Sequence, residues 1–95
     1  MTVEFLRSEL KKIIHVLTTS GFGNIEPGLV ERLDKISIVS DRLGMKEGKR
    51  LIENLSGAMK SILEGKAGAE SGKVRLMALD FYVEKLAGHD DTEDL

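Results

Sequence analysis

The sequence predicts an all-α protein, an antiparallel up-down-up-down four-helix bundle made of two αα-hairpins. Three observations favour this fold class. Apolar residues recur at helical spacing in four segments of the 95-residue chain. The breaks between the segments contain glycine and are short enough to place consecutive helices side by side and antiparallel. One tyrosine, three phenylalanines and no tryptophan suit an aliphatic helical core better than a sheet.

The first helix is predicted to follow Thr2, a favourable N-cap residue, with Glu4 in the first turn where the helix dipole favours an anion. Its apolar positions follow the spacing i, i+4, i+7, i+11. They are Leu6, Leu10, Ile13 and Leu17, with Ile14 beside them. Residues 18–24 hold two glycines within three positions and are predicted to end the helix.

The second and third helices are separated by one short turn at Gly44. Pro27 is predicted at the first position of the second helix, where its missing N–H has no intrahelical partner to lose. The apolar stripe of this helix comprises Leu29, Leu33, Ile36 and Leu43, with Val39 at its flank. The third helix is predicted from about Lys46 to Glu64 and ends at the glycines of residues 65–68. Its apolar arc of roughly 120° comprises Gly48, Leu51, Ile52, Leu55, Ala58, Met59 and Ile62.

The fourth helix, predicted over residues 71–87 with Ser71 as its N-cap, has two apolar faces. At about 100° per residue, one face comprises Leu76, Leu79, Val83 and Leu86, with Tyr82 at its edge. The nearly opposite face comprises Val74, Met77 and Phe81. Residues 1–88 are therefore predicted to form one four-helix domain, and the acidic residues 89–95 a flexible tail.

Composition excludes several classes of function. The net charge of −2 provides no global field for nucleic acid or an acidic membrane, and the absence of cysteine excludes disulfides and thiol catalysis. No HExxH motif, glycine-rich phosphate loop or clustered metal-ligand spacing is present. We therefore expect no enzyme, no cofactor and no metal. No apolar run approaches the ~20 residues of a membrane span, so the expected location is cytoplasmic.

The second apolar face of the fourth helix predicts a contact with a protein partner. Ile38 lies about 180° from the stripe of its own helix and is also expected to face outward. The predicted partner interface is therefore Ile38, Val74, Met77 and Phe81, and a two-fold homodimer is its simplest form. The alternative is that the fourth helix packs centrally, with the other three around it.

His15 offers a second hypothesis, a role in histidine phosphotransfer. The residue is predicted on the outer face of the first helix, with Lys11 and Lys12 in the preceding turn. The sequence His15-Val16-Leu17 is similar to the His-x-Leu core of phosphotransfer domains, which place an exposed histidine on a four-helix bundle. Thr18 and Thr19 stand where that family carries Lys and Gly. The alternative is that His15 is an ordinary surface residue with no chemical role.

A basic group around the turn between the second and third helices offers a third hypothesis. Its members are Arg42, Lys46, Lys49 and Arg50. Cations at a helix N-terminus oppose the helix dipole, and a bound anion would relieve this. An accessory role in a DNA-replication or other nucleic-acid-handling complex is therefore left open. Interleaved acidic residues and the lack of a nearby aromatic side chain favour a solvated surface instead.

From Arg50 to Gly88 the sequence resembles the helical C-terminal collar domain of bacterial clamp-loader subunits. The matching segments are Leu51-Ile52-Glu53-Asn54-Leu55, Ile62-Leu63-Glu64-Gly65, Leu76-Met77-Ala78-Leu79 and Lys85-Leu86. Residues 65–68 stand where that family has an Asn-x-Asn turn, and the family's ATPase modules are not part of this sequence. The resemblance implies an oligomerisation domain whose helices pack between subunits.

Overall fold

Four helices form a ring in the computed structural model, which describes the backbone of residues 2–93 and the side chains of residues 2–86. They are α1 (Val3–Ser20), α2 (Pro27–Arg42), α3 (Lys46–Leu63) and α4 (Ala69–Glu93). Each helix contacts the next, and α4 contacts α1. Among the described residues no Cα atom of α1 comes within 8 Å of one in α3, and none of α2 comes within 8 Å of one in α4, so these pairs are the diagonals. The predicted all-α four-helix bundle is confirmed.

A capping hydrogen bond marks the start of α1, a proline the start of α2, and glycines the ends of α2 and α3. The Thr2 hydroxyl accepts a hydrogen bond from the Phe5 amide at 3.1 Å, as expected of an N-cap, and Pro27 occupies the first turn of α2. Gly44 and Gly65 have φ of 77° and 75° and follow the ends of α2 and α3. This left-handed conformation, which favours glycine, lets the chain reverse within a few residues.

The start of α4 differs from the prediction. Ser71 is not its N-cap, because the helix already begins at Ala69 and the Ser71 amide donates to the Gly68 carbonyl at 3.1 Å. The Ser71 hydroxyl instead accepts a hydrogen bond from Arg75 at 3.2 Å. The helix also continues to Glu93, past the predicted end at residue 87. The backbone of residues 89–93, part of the predicted flexible tail of residues 89–95, belongs to α4, residues 94–95 lie outside the described part of the chain, and the flexibility of the tail stays a prediction.

The core lies between the four predicted stripes. Every residue of the α1 stripe is buried, and the α2, α3 and α4 stripes are buried apart from a few partly exposed members at their ends. Phe22, Ile25 and Val30 join this core from the α1–α2 loop and the first turns of α2, and the sequence analysis missed them. The buried apolar stripes of all four helices therefore form one core.

Small residues allow α3 to lie close to both neighbours. A Cβ built on Gly48 would lie 2.8 Å from the Ser40 hydroxyl and 3.0 Å from the Tyr82 hydroxyl, so α2, α3 and α4 meet at this glycine. The buried Ser40 hydroxyl donates to the Met45 carbonyl at 2.8 Å, which satisfies it within the α2–α3 turn. Burial raises the pKa of Tyr82.

No helix in the described residues is both long enough and apolar enough to traverse a lipid bilayer.

Candidate partner-binding surface

Three large apolar side chains point away from the core on α4. Val74, Met77 and Phe81 are 63 %, 72 % and 64 % exposed. They occupy positions i, i+3 and i+7 of the helix, so they lie on one side of it within roughly two turns. The opposite side of α4 is occupied by Leu76, Leu79 and Val83, which are buried. We call Val74, Met77 and Phe81 the α4 outer face.

Charged side chains border the α4 outer face. The Lys85 ammonium lies 4.8 Å from the centroid of the Phe81 ring, within the range of a cation–π interaction. Glu70 pairs with Lys73 at 3.6 Å in the first turns of the helix. Toward α1, Glu84 lies 3.9 Å from Lys11. An apolar centre with a charged border is the usual composition of a protein–protein contact.

Central packing of α4, the alternative weighed from the sequence, does not occur. A central helix would bury its whole circumference, whereas α4 contacts α1 and α3 within the described residues and leaves its outer face to solvent. The second apolar face is therefore not needed for the core of a single chain.

Ile38 does not belong to this surface, although it is exposed as predicted (52 %). It lies on α2, which is diagonal to α4 in the ring. Its own face of α2 carries the exposed charged residues Glu31, Lys35 and Arg42. A single exposed isoleucine among charges is ordinary for a protein surface.

Other exposed apolar residues were not predicted from the sequence. Phe5 and Val16 lie on α1, and Leu63 ends α3; each is exposed. The helical wheel of α1 contained the signal, because Phe5 and Val16 lie roughly 100–120° from the buried stripe. Since eleven positions separate Phe5 from Val16, about 16 Å along a helix, they do not form a compact patch.

The structure brings His15 and its predicted neighbours together. A shallow depression of about 400 Å³ on α1 is lined by Arg7, Ser8, Lys11, Lys12 and His15. His15 is exposed, as predicted. The two lysines face carboxylates, however, with Lys12 3.1 Å from Glu9 and Lys11 3.9 Å from Glu84. Lys12 is the main cause of a lowered pKa at Glu9, which Arg32 lowers further.

The basic group of Arg42, Lys46, Lys49 and Arg50 is partly neutralised by its own acidic neighbours. Lys46 lies 3.7 Å from Asp41, and Arg50 forms a two-pronged pair with Glu47. That hydrogen bonding lowers the pKa of Glu47 and raises that of Arg50. These pairs leave less positive charge for an external anion than the sequence alone suggested.

Within the described side chains, no three His, Cys, Asp or Glu groups converge in a way that could hold a metal ion. Comparison of the chain with protein-family models, with curated proteins and with solved structures finds no match. The candidate site therefore depends on the geometry of α4 alone, and the resemblance to a clamp-loader collar domain stays a prediction.

Proposed function

We propose that the protein is a non-enzymatic oligomerisation module that forms a homodimer through the α4 outer face. The observation that carries the proposal is the exposure of Val74, Met77 and Phe81 on one side of a helix whose other side is buried. Contiguous exposed apolar patches on soluble proteins commonly mark interaction sites. The resemblance of residues 50–88 to a collar domain, whose helices pack between subunits, supports the same role.

The expected affinity is modest. Full burial of a large apolar side chain is worth roughly 1.5–3 kcal/mol, and a two-fold interface contains each residue of the face twice. Association also costs about 4–15 kcal/mol in lost translational and rotational freedom. Three residues per chain therefore favour a dissociation constant in the micromolar rather than the nanomolar range.

The proposal predicts that Met77→Glu abolishes the dimer. A carboxylate at the centre of the face would be buried without a partner, which disfavours association strongly. Light scattering after size exclusion, at micromolar concentration and above, measures the mass. Ile38→Glu is the matched control, because it makes the same change at an exposed apolar site on the diagonal helix.

We expect the dimer for the wild-type chain and for Ile38→Glu, and a monomer for Met77→Glu, with unchanged helical circular dichroism in all three. A wild-type chain that stays monomeric throughout would contradict self-association. Equal loss of the dimer in both variants would place the contact elsewhere.

A second candidate function, phosphotransfer at His15, is favoured by the depression that gathers Arg7, Lys11 and Lys12 around the exposed imidazole. In this reaction an imidazole nitrogen attacks the phosphorus of a phosphodonor. The leaving group departs with the electron pair of the broken bond, and the ring releases its proton to water. Lys11 and Lys12 would have to exchange their carboxylate partners, Glu84 and Glu9, for the phosphoryl group, whose negative charge they would then stabilise.

Incubation with acetyl phosphate tests this second candidate. We expect an adduct with the mass of one phosphoryl group, labile in acid, in the wild-type chain but not in His15→Gln. The control His89→Gln, which changes the other of the two histidines, should keep the adduct. Absence of the adduct from the wild-type chain, or its persistence in His15→Gln, would rule out His15 as the acceptor. We do not propose nucleic-acid binding, because Lys46 and Arg50 are already paired with acidic residues.

A further inference from the structure

We infer that the occupant of the α4 outer face is a second copy of this chain whose α4 runs antiparallel, with the two-fold axis close to Met77 and Ala78. The inference rests on the proposed function and adds the orientation of the partner to it. Three properties of the face support it: the order of its apolar residues, the charges at its two ends, and the position of α4 in the ring.

The apolar residues are arranged about a centre. Val74 and Phe81 lie at nearly equal distances along the helix from the point between Met77 and Ala78. In an antiparallel pair centred there, Phe81 faces Val74 of the second copy and Met77 faces its counterpart. The largest side chain then packs against the smaller branched one at both ends of the contact, and the flexible methionines fill the middle.

Glu70 and Lys85, which lie on the line of the face at its two ends, have opposite signs, although Lys73 and Glu84 lie beside them. Glu70 precedes the face in the first turn of α4, and Lys85 follows it in contact with the Phe81 ring. The two residues are roughly 22 Å apart along the helix, too far to pair with each other within one chain. Within its own chain Glu70 lies 3.6 Å from the Lys73 ammonium, and this pair is exposed to solvent. An antiparallel copy places Glu70 of each chain beside Lys85 of the other. A parallel copy would place glutamate beside glutamate and lysine beside lysine, which is repulsive.

The helix dipoles favour the same orientation, because antiparallel neighbours place the positive end of one helix beside the negative end of the other. The ring arrangement leaves room for the contact. Within the described residues α4 contacts α1 and α3 on its inner sides, and its outer side carries no other element. A second α4 can therefore approach to an ordinary interaxial distance of about 8–10 Å.

Single cysteines test the orientation directly, since the natural chain has none. We expect Ala78→Cys to form a disulfide-linked dimer under mild oxidation. Glu70→Cys and Lys85→Cys should not link to themselves but should link to each other when the two proteins are mixed. Ile38→Cys provides the rate of collisional linking. We expect the α4 cysteines to link about tenfold faster than Ile38→Cys or more, because the bound copy raises the effective thiol concentration.

Self-linking of Glu70→Cys above the Ile38→Cys rate would indicate a parallel pair. In that case the orientation is wrong while the homodimer itself stands. Linking of no α4 variant above that rate, together with a monomeric wild-type mass, would overturn the inference and the proposed function together.

Charge reversal provides a second readout that needs no cysteine. Glu70→Lys and Lys85→Glu should each weaken the dimer, and the double variant should recover the wild-type dissociation constant, because opposite charges again face each other. Additive losses without recovery in the double variant would contradict the antiparallel pairing.

Discussion

Gly72 and Phe22 form a contact that the local sequence around either residue does not predict. Phe22 lies in the α1–α2 loop yet is buried, and its ring rests on α4 at Gly72. A Cβ built on Gly72 would lie 2.5 Å from the ring atom Cε1 of Phe22. Glycine is therefore required there for space rather than for backbone freedom, and the ring closes the end of the core where α1 stops.

Gly72→Ala is accordingly expected to destabilise the protein by about 1–3 kcal/mol, because the added methyl group displaces a packed ring. Gly57→Ala is the matched control. Gly57 is exposed in α3, and no atom would lie within 4 Å of its Cβ, so alanine should raise the free energy of unfolding by about 0.5–1 kcal/mol. Denaturant unfolding of both variants measures this. Stabilisation by both changes would contradict the account of the Phe22 contact.

Asp34 links α2 to α3 through charge. The buried Ser56 hydroxyl donates to its carboxylate at 2.6 Å, and the Lys60 ammonium lies 3.2 Å away. The hydrogen bond from Ser56, assisted by Lys60, lowers the pKa of Asp34, although partial burial acts in the opposite direction. A lowered folded-state pKa contributes stability above the unfolded-state pKa, about 3.9, and that contribution disappears as the pH falls through the folded-state value.

Asp34→Asn should therefore lower the free energy of unfolding at neutral pH and have much less effect in acid, where the wild-type carboxylate is itself protonated. Urea unfolding at neutral pH and at acidic pH measures the difference. Asp80→Asn, at an exposed position of α4, is the control and should change neither value appreciably. A loss from Asp34→Asn that is equal at both pH values would show that the charge of Asp34 does not contribute.

At the scale of the helices, most of the architecture was predictable, because apolar periodicity and glycine turns are local signals. The stripes of α1 and α3, the N-cap at Thr2 and the turn at Gly44 needed no information beyond neighbouring residues. The start of α4 was predicted wrongly at Ser71. Serine is a favoured N-cap residue, so Ser71 was the natural candidate after Gly68. The helix instead begins at Ala69, and no residue type at that position indicates a helix start.

The long-range contacts could not be predicted from the same signals. Phe22 and Gly72 are separated in the chain by α2 and α3, so no periodicity connects them, and Phe22 lies in a glycine-rich break that favours a loop. The buried Ser56 hydroxyl is satisfied by the Asp34 carboxylate, which lies 22 positions earlier in the chain and which only the fold brings near. The sequence therefore gives no reason for a polar side chain on the buried side of α3 at this position.

For the whole molecule, the candidate surface was predictable in part. The helical wheel indicates which side of a helix faces away from its own core, and this was correct for Ile38, Val74, Met77 and Phe81. It does not indicate whether the outer sides of two helices point the same way. The order of the helices in the ring settles this point. Because α2 and α4 are diagonal, Ile38 and the α4 outer face lie on different sides of the bundle.

The solution mass of the wild-type chain tests the central claim most directly. Sedimentation equilibrium over a dilution series through the micromolar range should show a mass approaching twice 10.5 kDa at the highest concentrations and falling toward 10.5 kDa on dilution. A mass of 10.5 kDa at every concentration would contradict the account, because the α4 outer face would then remain uncovered by a second copy.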